Sequence, residues 1–245
     1  TPPPGLARNP IVLANPTPFD VDSLTLSSPA ELTIDDTMAA AFGTPRELVL
    51  EAGRNTAIDG ADGRGTLTLG VGTGFTLHAS ERLALHAGGN GSGDLVFADP
   101  GLTLAADEIE LRAGSGDPAN AADPSEIVGL QSNGVELLDG SGVTELGADA
   151  STAVAFSFRQ DASIDVQTAL PDLDQLVDVP GASPLAGVTY SVRSDAGPID
   201  LDDGVVGTNE AERFASANLE LVGLETDAGP AIAISNDFAL SADTL

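Results

Sequence analysis

Phe75-Thr-Leu-His-Ala-Ser-Glu-Arg-Leu-Ala-Leu-His-Ala-Gly-Gly-Asn-Gly-Ser-Gly-Asp-Leu-Val-Phe97 is the stretch whose reading decides the fold. Leu77 is followed by Leu83 and Leu85, then by Leu95 and Phe97, with polar or small residues between them. A strand with one buried face needs this two-residue period, because successive side chains point to opposite faces. The run Gly88-Gly-Asn-Gly-Ser-Gly93 reads as a turn between two such strands. The cadence continues outward on both sides. Before the stretch lie Leu24-Thr-Leu26, Glu47-Leu-Val-Leu50 and Thr66-Leu-Thr-Leu69; after it come Leu102-Thr-Leu104, Glu108-Ile-Glu-Leu111 and Asn218-Leu-Glu-Leu221. Further strands read over Glu126-Ile-Val128, Val135-Glu-Leu-Leu138, Val143-Thr-Glu-Leu146, Ala153-Val-Ala-Phe-Ser-Phe158, Ala162-Ser-Ile-Asp-Val-Gln167, Val188-Thr-Tyr-Ser-Val192 and Ile199-Asp-Leu201.

Strand starts fall roughly 8 to 12 residues apart, the spacing of an all-β sandwich, barrel or solenoid. Many segments are short and follow one another closely, which resembles successive flat faces of a coil. Stacked coils place the same inward position in aliphatic ladders and leave only the end strands unpaired. The fold class is therefore all-β, a β-solenoid, with a β-sandwich or jelly roll as the alternative. Residues 1–22 form a Pro-rich extension or linker, and 23–245 form the solenoid domain, with loop insertions near 115–125 and 171–185. One short helix is expected over Glu210-Ala-Glu-Arg-Phe-Ala-Ser-Ala217, with Asn209 as its N-cap and Glu212 completing a capping box.

Composition narrows the choice. Only 4% of the residues are aromatic and Trp is absent, so a narrow core of stacked aliphatic side chains fits better than a wide aromatic one. The net charge is −29, and all nine cationic residues are Arg. Nucleic acid is excluded as a partner, because binding it depends on phosphate neutralisation; an anionic membrane surface is disfavoured for the same reason. The acidity suits a solvated surface, a saline habitat or divalent-cation binding. Cys is absent, which removes disulfides and thiolate chemistry and suits an extracellular chain. No stretch approaches the ~20 apolar residues of a spanning helix. Thr1-Pro-Pro-Pro-Gly5 reads as a processed or cut start, and Phe238–Leu245 stops in mid-pattern, as if the protein continued.

The Phe75–Phe97 run, together with Leu102-Thr-Leu-Ala-Ala-Asp-Glu-Ile-Glu-Leu-Arg-Ala-Gly114, resembles the repeats of filamentous-haemagglutinin-type secreted adhesins. Those repeats alternate "L-x-L-x-A" strands with "A-G-G-x" turns. The resemblance is clearest over residues 23–114; Asp and Pro here replace the family's Asn-rich turns. It implies a right-handed parallel β-helix exported to the cell surface, and it brings no catalytic residues with it.

Candidate chemistry is sparse. His78 and His86 are the only histidines, and two imidazoles without a fixed third ligand make a weak metal set. Asp200-Leu-Asp-Asp-Gly204 resembles part of a calcium loop, so Asp200, Asp202 and Asp203 are the candidate metal ligands and Ca²⁺ the candidate ion. Its Gly, however, falls one position early for an EF-hand. Gly88–Asp94 misses the stacked calcium nonapeptide by one position. No nucleophile elbow is present, nor a phosphate loop leading into a helix. The expected function is a non-enzymatic extracellular structural or adhesive module, part of a larger surface protein or filament. Its partners would be copies of itself, neighbouring subunits of a surface assembly, or glycans. The alternative is a carbohydrate-active β-helix enzyme, a polysaccharide lyase or hydrolase. That reading predicts Arg46, Arg54, Arg64, Arg82 and Arg112 on one face with a carboxylate cluster, whereas a scaffold predicts scatter.

Overall fold

A computed structural model describes residues 18–53, 65–70, 74–89, 91–115, 124–144, 146, 154–165, 188–195, 197–201, 213–225, 230–234 and 239–244. The described residues form an all-β fold with one short helix, and every pairing among the described strands is parallel. An antiparallel sandwich or jelly roll needs the opposite pairing, so that alternative falls.

Eight strands make one long sheet, in chain order: β1 (Ser23–Ser27), β3 (Glu47–Glu51), β6 (Arg82–Ala87), β9 (Glu108–Ala113), β12 (Val154–Gln160), β14 (Val188–Ser194), β16 (Arg213–Val222) and β18 (Ala239–Thr244). A second sheet holds β2 (Leu32–Asp35), β4 (Leu67–Gly70), β7 (Leu95–Phe97) and β10 (Ile127–Val128). A third holds β5 (Thr76–His78), β8 (Thr103–Ala105) and β11 (Glu136–Leu138). The fourth holds β13 (Ile164–Asp165), β15 (Ile199–Leu201) and β17 (Ile232–Ile234). From β3 to β12 the chain visits the second and then the third sheet before each return to the long one. A parallel partner requires such an excursion, since a tight hairpin can only reverse the strand.

Register turns the two-residue period into columns. Leu48, Leu83, Ile109 and Phe156 are successive partners across β3, β6, β9 and β12; one pleat further along, Leu50, Leu85, Leu111, Phe158 and Val192 form a second column. All nine of these side chains are buried. Leu67, Leu69, Leu77, Leu95, Phe97 and Leu104 close the same core from the second and third sheets. Like side chains stacked at the ~4.8 Å strand spacing fill a narrow interior without aromatic bulk. That is why a chain so poor in aromatics can bury its core.

The one helix among the described residues, α1 (Asp36–Phe42), was not foreseen. Asp35 caps it, its carboxylate accepting the Met38 N–H at 2.9 Å. Met38, Ala39, Ala41 and Phe42 are buried where the helix packs beside β2 and β5, the first strands of the second and third sheets. The core is thus covered at that end.

Two expectations are corrected. Residues 213–217 of the expected helix lie in strand β16, which pairs with β14 and β18; its other residues, 209–212, lie outside the described ones. Residues 213–216 pair with β18 while the β14 ladder takes up the rest of the strand from Asn218, and this pairing outweighs the mild helix propensity of Ala, Glu and Arg. Val143-Thr-Glu-Leu146 is no strand over its described residues 143, 144 and 146. Asp139 N–H donates to the Thr144 carbonyl at 2.8 Å, and Ser141 N–H and Oγ–H both donate to Asp139 Oδ1, so the chain turns back on itself there. Of the expected insertions, residues 116–123 and 171–185 lie outside the described residues, as do 1–17 of the Pro-rich start.

Candidate functional site

A four-residue motif recurs where β3, β6 and β9 end: Leu50-Glu-Ala-Gly53, Leu85-His-Ala-Gly88 and Leu111-Arg-Ala-Gly114. The Leu and Ala point inward and are buried. The glycine turns the corner with positive φ: 75° at Gly53, 69° at Gly88 and 90° at Gly114. A Cβ on Gly88 would sit 2.9 Å from the Gly114 Cα and 2.8 Å from the Gly93 N, so the corner is closed to any side chain.

The second residue of each motif faces outward. Glu51, His86 and Arg112 are therefore direct register partners, and the column continues through Arg159 to Arg193. Four consecutive strands thus carry imidazole or guanidinium at one position, on a chain with only nine arginines and two histidines. Arg82 stands at the opposite end of β6, and Arg46 directly precedes β3.

Most of these cations are paired. Arg46 contacts Glu81 at 2.7 Å, Glu47 at 2.9 Å and Asp22 at 3.3 Å. Arg82 reaches Glu110 at 2.5 Å and Glu108 at 3.3 Å. Arg159 and Arg193 clamp opposite oxygens of Asp195 at 2.5 and 2.6 Å. Burial alone would raise the Asp195 pKa, but the hydrogen bonds from Arg159 and Arg193 outweigh it and hold the carboxyl below its usual range. Asp195 and Asp161 occupy the corner position held by glycine in the earlier motifs (Phe158-Arg-Gln-Asp161, Val192-Arg-Ser-Asp195).

Arg112 is different. Its corner residue is Gly114, which offers a carbonyl in place of a carboxylate: Arg112 Nε–H donates to Gly114 O at 2.9 Å. Among the described residues Arg112 has no carboxylate within ion-pair distance. Burial, and then the adjacent Arg159 charge, lower its pKa against the more distant carboxylates of Asp195, Glu110 and Asp161, which act on it only through space. It lines a depression of about 220 Å³ with Glu51, Ala52, His86, Ala87 and Gly89. His86 Nε2 lies 3.0 Å from Glu110 Oε1. That neighbour, and then Arg82, outweigh burial and lower the Glu110 pKa to about 2.

The expected metal sets fare differently. His78 and His86 sit on different sheets. His78 Nε2 contacts Gly140 O at 3.0 Å, whereas His86 faces Glu110. Asp200 lies exposed on β15, but Asp202 and Asp203 lie outside the described residues. Asp94, from the near-calcium repeat, accepts the Glu126 N–H at 3.1 Å and ties together the segments that lead into β7 and β10. Among the described residues no three His, Asp or Glu side chains gather to hold a metal, and no helix is long and apolar enough to cross a membrane.

Of the five arginines meant to separate scaffold from enzyme, Arg46, Arg82 and Arg112 share the long sheet's outer side with Glu47, Glu108 and Glu110; Arg54 and Arg64 lie outside the described residues. The column Glu51–His86–Arg112–Arg159–Arg193 was missed. Its signal was the repeated Leu-x-Ala-Gly ending, which aligns the x positions once strands are stacked by their glycines. No family model matches the sequence, and no curated protein or solved structure is significantly similar to it.

Proposed function

We propose that the chain is a right-handed parallel β-helix serving as a non-enzymatic extracellular structural or adhesive module, part of a larger surface protein or filament and related to the filamentous-haemagglutinin repeats it resembles. The observation that supports this is the eight-stranded parallel sheet, whose neighbours hold one register while the chain visits other sheets between returns. Such stacking makes a stiff body, and stiffness with a long lateral face is what a spacer or adhesin needs. Copies or neighbouring subunits would join through the edges of the long sheet at β1 and β18, because α1 covers the core beside β2 and β5.

A second reading, a carbohydrate-active enzyme, is favoured by the arginines and carboxylates that share one face. The chemistry there runs against it. A general acid needs a pKa near the working pH, yet Glu110 is lowered to about 2 by its contacts with His86 and Arg82. Two measurements test the choice. Electron microscopy over a range of concentrations is expected to show rods that associate end to end; compact monomers at every concentration would remove the filament. Incubation with neutral and uronate polysaccharides, with and without Ca²⁺, is expected to release no fragments; depolymerisation would establish the enzyme.

A further inference from the structure

We propose that the depression beside Arg112 binds a sugar acid, with the ligand carboxylate on the Arg112 guanidinium and a ligand hydroxyl donating to Glu51.

The site is defined by what the register leaves without a direct ion pair, since Asp195, Glu110 and Asp161 act on Arg112 only through space. Every other described arginine of the outward column has a corner aspartate within reach, and Arg112 alone ends on a glycine. Its Nε is engaged by the Gly114 carbonyl, which orients the guanidinium and leaves the two Nη groups as a fork suited to a carboxylate. Arg159 is its direct register partner, so two like charges stand on neighbouring strands. An anion placed against Arg112 relieves that repulsion.

The remaining lining selects the rest of the ligand. Glu51 brings a carboxylate to the same hollow, and a carboxylate can only accept hydrogen bonds. A ligand made solely of negative charge would be repelled by it. A ligand that joins a carboxylate to hydroxyl donors satisfies both ends. The volume, about 220 Å³, is below the range of drug-sized pockets and suits one ring rather than a long oligomer. The inference gives the adhesive reading a ligand class but depends only on the pairing of β3, β6 and β9. Its failure would leave the scaffold standing, and failure of the filament test would leave this site standing.

With only two histidines in the chain, the test has an internal control. His86 lines the hollow, while His78 sits on the third sheet against Gly140. Sodium glucuronate is titrated at fixed pH and ionic strength while both imidazole resonances are followed by NMR. Saturable movement of His86 in the millimolar range with His78 still is the expected result, as suits a single charge-assisted contact. Arg112→Gln should raise the half-saturation concentration more than tenfold. In Glu51→Ala, which tests the hydroxyl contact without touching the cation, the preference for glucuronate over acetate should vanish. Glucose should not bind. Joint linear movement of both histidines, equal affinity in Arg112→Gln, or equal binding of acetate and glucuronate by the unaltered protein would each overturn the proposal.

Discussion

The strand ends of β3, β6 and β9 and those of β12 and β14 solve the same geometric problem with different chemistry. The earlier three turn on Gly53, Gly88 and Gly114, whose positive φ lets backbone pack on backbone. The later two place Asp161 and Asp195 at that position, and Asp195 binds the arginines of both strands. The cores change in parallel, from Leu and Ile in the early strands to Phe and Val in the later ones. Where glycine shapes the corner, stability rests on close backbone approach and the outward residue is free to vary as Glu, His or Arg. Where aspartate shapes it, the outward residue is held to arginine.

The largest effect should come from the later core. Phe158 is fully buried between Leu111 and Val192, so Phe158→Ala should destabilise the fold by about 4 kcal/mol, seen as a lower denaturant midpoint. Val192→Ala, a smaller truncation one strand on, should cost clearly less. Next comes the glycine corner. Gly88→Ala puts a Cβ at φ 69° and within 2.9 Å of Gly114, which should cost about 2–3 kcal/mol through strain and crowding. A loss under ~0.5 kcal/mol would mean the corner is looser than its geometry states.

Acid should separate the two regions as well. The Glu110 pKa lies near 2, below the ~4.3 of an unfolded glutamate. A depressed carboxylate stabilises the fold fully above the unfolded value, and that stability is lost as pH falls from about 4.5 toward 2. Roughly 2 kcal/mol should disappear across that window after allowance for solvent screening, and Glu110→Gln should flatten it. If the melting temperature of the unaltered protein stayed constant from pH 5 to 2.5, the Glu110 contacts with Arg82 and His86 would carry no net stability. Asp195→Ala should cost less, about 1–2 kcal/mol, because the two arginines it strands remain partly exposed.

Strand positions were readable because alternation is local: Leu83, Leu85, Leu48 and Leu50 announce their faces without knowledge of their neighbours. The parallel pairing of those strands agrees with the reading drawn from the brevity of the segments. The helix at Asp36 was not, since seven residues carry less than two turns of pattern; its one signal was Asp35 ahead of Asp-Thr-Met-Ala-Ala-Ala. Segment 213–217 misled for the opposite reason, as its helical composition is outvoted by pairing with β18, more than twenty residues on, in a strand that continues into the β14 ladder. The outward column was hidden by unequal spacing. Glu51 and His86 are 35 residues apart, His86 and Arg112 26, and Arg112 and Arg159 47, so no fixed period points to them. Glycine at the end of each early motif was the available ruler.

The smallest stability effect is the one that most sharply divides the two corner types. Arg112→Gln removes a cation that has no carboxylate partner among the described residues and stands beside Arg159. Losing the Nε–H bond to Gly114 O destabilises, and losing the repulsion from Arg159 stabilises. Gln can itself offer an amide N–H toward the same carbonyl, so the net change without ligand should stay within about 0.5 kcal/mol. Arg193→Gln removes one arm of the Asp195 clamp with nothing to offset it, and should cost more. The comparison is made by chemical denaturation of both variants at low and at moderate salt. Screening weakens the Arg112–Arg159 repulsion as it weakens the Asp195 pairs. Added salt should therefore shift the balance against Arg112→Gln while shrinking the loss in Arg193→Gln. Equal losses with equal salt dependence would mean that Arg112 is compensated as fully as Arg193, and the distinction between glycine and aspartate corners would have no energetic content.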